Sequence, residues 1–98
     1  MKYSHNYSKL DKQEYTTIRR YSKAQVGDIV REVYPKGNHF AKVKRVVRTT
    51  LREIPTKLLL EDTDKQTREE ALLLIQSFYR KQIGIDERLY LYYLDKRF

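Results

Sequence analysis

Thr17 and Arg19 lie two residues apart in the run Thr-Thr-Ile-Arg-Arg at 16–20, the spacing that places two side chains on one face of a β-strand. A hydroxyl beside a guanidinium suits a phosphate, a ribose or a nucleobase. Arg donates two parallel hydrogen bonds from a planar fork, and Thr donates or accepts one more. Thr16, Ile18 and Arg20 alternate onto the other face, so one of the two arginines points into the protein or into a groove. A buried guanidinium needs acceptors. Either an internal carboxylate such as Glu70 supplies them, or a ligand does, with Thr17 and Arg19 lining its groove. Further cations stand at Lys23, Lys42, Lys44, Arg45 and Arg48. By alternation Lys42, Lys44 and Arg48 share one side of a strand about 6.6 Å apart per step, which matches the run of phosphates along an extended chain. Tyr15 and Tyr21 flank the basic strand, and His39 sits near a hairpin tip; each can stack on a base. Tyr90, Tyr92 and Tyr93 are expected mainly to fill the core with their hydroxyls at its edge.

Other chemistries find little support. Cysteine is absent and histidine occurs twice, at His5 and His39, so thiolate nucleophiles, cysteine zinc sites and multi-histidine metal centres are not expected. No glycine-rich phosphate loop is present. Glu61, Asp62 and Asp64 lack the ligand spacing and glycine of a calcium loop and read as a solvated lead-in to a helix. No metal and no cofactor is therefore expected. Net charge is +8, and residues 1–50 hold 12 Lys and Arg against 4 Asp and Glu, whereas residues 51–98 hold 9 of each. The whole excess lies in the N-terminal half. Segregation of that kind points to a polyanionic partner, because clustered cations release counterions from phosphate chains.

These residues need elements to hold them. Residues 15–20 and 26–34 read as strands, and Pro35-Lys36-Gly37-Asn38 as a hairpin turn leading into a long return strand over 39–50. Residues 51–54 suit one helical turn before Pro55. The run 57–60 is too short to assign by period, so strand and helix both stay open. Thr67-Arg68-Glu69-Glu70 matches a capping box, and Ala71, Leu74, Ile75, Phe78 and Tyr79 make one apolar stripe over a helix at 67–82. Arg80 and Lys81 suit the end of that helix, and Gly84 its stop. Residues 88–94 close the chain as an aromatic-rich strand. The fold class expected is α+β: a small, mostly antiparallel β-barrel packed by one main helix in the C-terminal half, forming a single domain over 14–98. Residues 1–13 are polar and could be a short strand, a partial helical turn or a frayed end. No export leader or membrane-length apolar run is apparent, so a cytoplasmic protein without a membrane partner is expected.

Taken together, Thr-Thr-Ile-Arg-Arg at 16–20, Lys-Ala-Gln-Val-Gly-Asp-Ile-Val at 23–30, the stretch at 41–54, the late helix ending in Ser-Phe-Tyr-Arg-Lys and the last strand resemble the ASCH domain family of PUA-like barrels. The resemblance spans most of residues 14–95. It implies a cleft beside the Thr-Ile-Arg strand and recognition of RNA or nucleotides. Some family members resemble acetylcytidine amidohydrolases, with a Lys and a Thr about this strand and a Glu on the later helix. Thr17 matches that Thr and Glu70 that Glu, while the Lys position falls on Glu14, which leaves the Thr hydroxyl without a base. The expectation is a nucleic-acid-binding module that prefers RNA. Arg19, Arg20, Lys23, Lys42, Lys44, Arg45 and Arg48 would contact phosphates, and Tyr15, Tyr21 or His39 would stack. A small nucleoside-modifying amidohydrolase and a duplex DNA-binding protein are the alternatives. Oligomeric state is open.

Overall fold

A computed structural model describes residues 1–21, 23–78 and 83–97. Four strands, β1 (Glu14–Arg19), β2 (Ile29–Tyr34), β3 (Gly37–Thr50) and β4 (Arg88–Asp95), make an antiparallel sheet in the order β1-β4-β3-β2. Two helices, α1 (Thr56–Thr63) and α2 (Arg68–Ser77), separate β3 from β4. The architecture is α+β with a curled antiparallel sheet. It differs from expectation in having two helices rather than one main helix, because the run 57–60 is helical and forms half of α1.

The first residues also deserve their place in the fold. Lys2 forms a parallel bridge with Val33 on the outer edge of β2, with Tyr3 N–H donating to the Val33 carbonyl at 2.8 Å. The chain then crosses to the opposite edge, where a 3₁₀ turn (Ser8–Asp11) lies beside β1. There the Lys9 ammonium donates to the Thr16 carbonyl at 2.9 Å. Residues 1–13 thus span the open side of the sheet, as a bridge followed by a partial helical turn.

Both sides of the sheet are covered. Tyr7, Leu10, Tyr15, Ala41, Val43, Tyr92 and Leu94 form one core. Leu51, Ile54, Leu59, Ala71, Ile75, Ile83 and Leu89 form another that includes both helices. Burying each such aliphatic side chain stabilises the fold by about 1.5–3 kcal/mol. The α2 stripe is shorter than its sequence pattern: Ala71 and Ile75 are buried, but Phe78 is exposed. Tyr79, Arg80, Lys81 and Gln82 lie outside the described residues. Thr67 caps α2 by accepting from Glu70 N–H at 3.2 Å. Arg68 fastens the helix to the preceding turn through the carbonyls of Leu51, Arg52 and Ile54, at 2.8–3.0 Å.

Two backbone details correct the sequence pattern. The hairpin turns at Pro35 and Lys36, with Tyr34 paired to Gly37, yet neither Gly37 nor Asn38 takes a positive φ. That conformation belongs to Gly27 (φ 95°), in the turn that feeds β2, and to Asp64 (φ 57°), which ends α1. β3 also carries a bulge, since Val43 pairs with Leu94 and Arg45 with Tyr93, leaving Lys44 as an extra residue. A bulge breaks strict alternation. Lys44 and Arg45 are both exposed, and Val46 rejoins the core side. Arg48 therefore falls on the face opposite Lys42 and Lys44, and the three do not form one basic row. Among the described residues no helix is long and apolar enough to cross a membrane.

Candidate functional site

Strand β1 has β4 on one side only. The Thr16 carbonyl points away from β4, toward Lys9. In an antiparallel ladder the N–H and C=O of one residue point the same way, and the direction alternates along the strand. The peptide groups of Ile18 therefore face off the free edge as well. A cavity of about 510 Å³ runs along this edge. Thr17, Ile18 and Arg19 form its floor, Tyr3, Tyr7 and Lys9 of the N-terminal segment one wall, and Asp62, Ile75 and Phe78 the other. The walls thus combine aromatic and aliphatic groups with the charged pair Lys9 and Asp62, and the floor carries Thr17 and Arg19 beside Ile18.

At the inner end three groups meet. Lys9 and Asp62 are 4% and 6% exposed, with Nζ 3.7 Å from Oδ1. Thr16 Oγ1 donates to the same Oδ1 at 2.5 Å. Burial lowers the Lys9 pKa, and the attraction of Asp62 offsets this only in part. Burial likewise pushes the Asp62 carboxyl up to about 6, against the opposing pull of Lys9 and the Thr16 hydroxyl. Desolvation wins over mutual attraction on both partners, so each is held closer to its neutral form than in water. Oδ2 of Asp62 is buried without a hydrogen-bond partner. Asp62 is therefore no solvated lead-in. Asp62 and Thr63 stand at i+3 and i+4 from Leu59 on α1, the spacing of a buried helix face, and all three are buried. Recognition of α1 as a helix would have exposed this placement. Lys9 carried no comparable signal, because it lies in a polar stretch without period.

At the outer end Arg19 is held from below. Its guanidinium carbon lies 4.8 Å from the centre of the Tyr3 ring, and Nη2 donates to the Lys2 carbonyl at 3.3 Å. Its Nε is buried without a partner. The Tyr3 hydroxyl donates in turn to Glu32 Oε1 at 2.8 Å, and the Tyr15 hydroxyl donates to the same oxygen at 2.9 Å. Glu32 is fully buried, with the Met1 ammonium 3.3 Å from Oε2. Burial and the Glu32 charge both raise the phenol pKa values of Tyr3 and Tyr15, so both remain proton donors to Glu32. A chain of positioning runs from Glu32 through Tyr3 to Arg19.

The remaining sequence candidates divide sharply. Tyr15 is in the core and 7% exposed, and His39 turns inward, 2.8 Å from its hydroxyl and 3.3 Å from that of Tyr34. Their internal bonds correct the expectation that either stacks on a base. Tyr21 is 72% exposed, with the Arg20 guanidinium carbon 5.9 Å from the centre of its ring. Glu70 is exposed in the first turn of α2 and lies away from the cavity; the carboxylate near Thr17 is that of Asp62. Glu14 is exposed and pairs with Arg97 at 3.0 Å; the lysines that line the cavity are Lys2 and Lys9. Arg20 pairs with Glu87 at 3.1 Å rather than with Glu70. Arg20 and Lys23 flank a second cleft beside Arg19. Lys44 and Arg45 border a third recess together with Glu14, Glu61 and Asp95, where acids offset them; Arg45 also lies 5.5 Å from the centre of the Tyr93 ring. Lys42, Lys44, Arg45 and Arg48 thus do not line the β1 cavity. Among the described residues no group of three or more His, Asp or Glu could hold a metal ion.

Fold and site together define a small α+β protein with a polar-floored cavity on the free edge of a curled sheet. The chain belongs to the family of Uncharacterized protein MJ0364 of Methanocaldococcus jannaschii, with 34% identity over 86 residues that cover 78% of this chain and 75% of that protein. No family model matches the chain, and no solved structure matches it.

Proposed function

We propose that the protein is a cytoplasmic, PUA-like module related to ASCH domains that binds single-stranded nucleic acid, RNA in preference to DNA, with one base seated in the β1 cavity. The observation that carries this function is the cavity itself: a slot walled by Tyr3, Tyr7, Ile75 and Phe78, with Lys9 and Asp62 at its inner end, over a floor of Thr17, Ile18 and Arg19. Apolar and aromatic walls suit a planar ring, and a few fixed polar groups supply orientation. The Ile18 peptide offers a donor and an acceptor side by side, the pattern that a base edge presents. Lys42 and Lys44, on the outer side of β3, add contacts to neighbouring phosphates.

Competition between single-stranded RNA and duplex DNA of equal length tests the preference; displacement by the RNA alone is expected, and equal displacement would favour the duplex alternative. In a salt series, Lys42→Ala combined with Lys44→Ala should flatten the slope of log K against log salt by roughly 0.7 per lost single-strand contact. Identical slopes for variant and wild type would remove the outer face of β3 from the interface.

Hydrolysis of an amide on a modified nucleoside is a second function, favoured by Lys9. Its amine shares the cavity with Thr17, and burial lowers its pKa, which makes it a better proton acceptor near neutral pH. Glu14 in the expected lysine position is therefore not an obstacle. A screen of acylated nucleosides decides the matter: turnover that Thr17→Ala abolishes would establish the activity, and absence of turnover across the screen would leave binding alone.

A further inference from the structure

Arg19 lines two cavities at once. Beyond the β1 slot lies a second cleft of about 650 Å³, bordered by Arg19, Arg20, Lys23 and Asp28, with Tyr21 at its rim. Three cations against one carboxylate make it electropositive, and Asp28 is engaged by the Gln25 amide at 2.8 Å. Met1, Ala24, Ile29, Val30 and Tyr92 complete the lining of the cleft, so its cations stand among apolar side chains. Of the five N–H donors of Arg19, the Lys2 carbonyl takes one, and the Tyr3 ring packs 4.8 Å from the guanidinium carbon. A guanidinium that lines both cavities can donate into both. The two sites thus share one side chain, as adjoining base and phosphate sites for a single nucleotide would.

We infer that the ligand is recognised as a nucleotide rather than a nucleoside, with the phosphate in the Arg19–Arg20–Lys23 cleft and Arg19 bridging base and phosphate. This rests on the β1 cavity as the base site. Arg is the side chain fitted to such a place, because its fork bonds a phosphate through two parallel N–H groups. Lys23 contributes a mobile point charge, and Arg20, already anchored to Glu87, a positioned one. Within a strand, the phosphate would be that of the flipped nucleotide, and Tyr21, 72% exposed, would receive the neighbouring base.

Calorimetric titration with the four ribonucleosides and with their 5′- and 3′-monophosphates tests the inference. For at least one base, a monophosphate should bind on the order of ten- to a hundredfold more tightly than its nucleoside, as charge-assisted hydrogen bonds allow. Arg20→Gln with Lys23→Gln should abolish that advantage while leaving nucleoside affinity unchanged. Because Arg20 is only 23% exposed and pairs with Glu87, far-UV circular dichroism of the variant should match that of the wild type, and Lys36→Gln, a cation at the hairpin turn, should leave the advantage intact. Equal affinity for nucleoside and nucleotide in the wild-type protein overturns the phosphate subsite and spares the base site. An equal loss with Lys36→Gln shows general charge attraction and also overturns it. If neither class of compound binds, the base site itself fails and the inference falls with it.

Discussion

Replacing Asp62 with alanine lowers the unfolding free energy by about 3–5 kcal/mol at neutral pH, the range found when one member of a buried ion pair is removed. The carboxylate is nearly inaccessible, and Lys9, equally buried, faces it across 3.7 Å. Without Asp62 the amine keeps its carbonyl bond to Thr16 but loses its counter-charge, and the Thr16 hydroxyl loses its acceptor. Urea unfolding of variant and wild type measures the cost. Lys9→Met combined with Asp62→Leu should cost much less than Asp62→Ala, since a buried pair can often be exchanged for apolar groups of similar size. A double variant as unstable as the single one would show that the pair itself is not the cause. The pH dependence has a definite sign. The Asp62 carboxyl titrates at about 6 in the fold against an ordinary value of 3.8, so the folded chain binds this proton more tightly than the unfolded chain. Its contribution is fully present below about pH 4 and is lost as pH rises through 6. Asp62→Asn should remove that segment of the pH profile.

Arg19→Ala weakens binding of a single-stranded oligonucleotide by roughly ten- to a hundredfold, the worth of one or two hydrogen bonds from a charged donor. Fluorescence anisotropy with a labelled RNA gives the ratio. Arg19→Lys restores only part of the affinity, because an ammonium keeps the charge but lacks the fork and the guanidinium contact with the Tyr3 ring. The fold should tolerate both changes: stacking of a partly exposed guanidinium on an aromatic ring contributes about 0.5–1 kcal/mol. Full recovery with lysine would mean that Arg19 acts through charge alone. An unchanged affinity in Arg19→Ala would place the ligand elsewhere.

Local signals in the sequence were reliable where the interaction was local. The Thr67 cap, the turn at Pro35 and the alternation of β1 each involve residues a few positions apart, and period and turn chemistry specify them. Thr17 and Arg19 line the β1 cavity, and Ile18, from the alternate position, lines it with them. What escaped depends on contacts across the chain. Lys9 meets Asp62 only because the N-terminal segment crosses from the β2 edge to the β1 edge and α1 packs beside it; no pattern within residues 1–13 encodes that path. Tyr15, flanking the basic strand, and His39, near the hairpin tip, read as surface stackers because position along the chain does not tell whether a ring faces outward or toward a buried Glu32. The bulge at Lys44 is silent in sequence too, and one extra residue was enough to move Arg48 to the other face.

Amide chemical-shift mapping with a short single-stranded RNA tests the cavity most directly. Perturbations are expected to centre on the Ile18 amide, which points off the free edge of β1, and to include Thr17, Arg19 and Lys9. Shifts confined to Lys42, Lys44 and their neighbours on β3, with the Ile18 amide unmoved at saturation, would contradict the account.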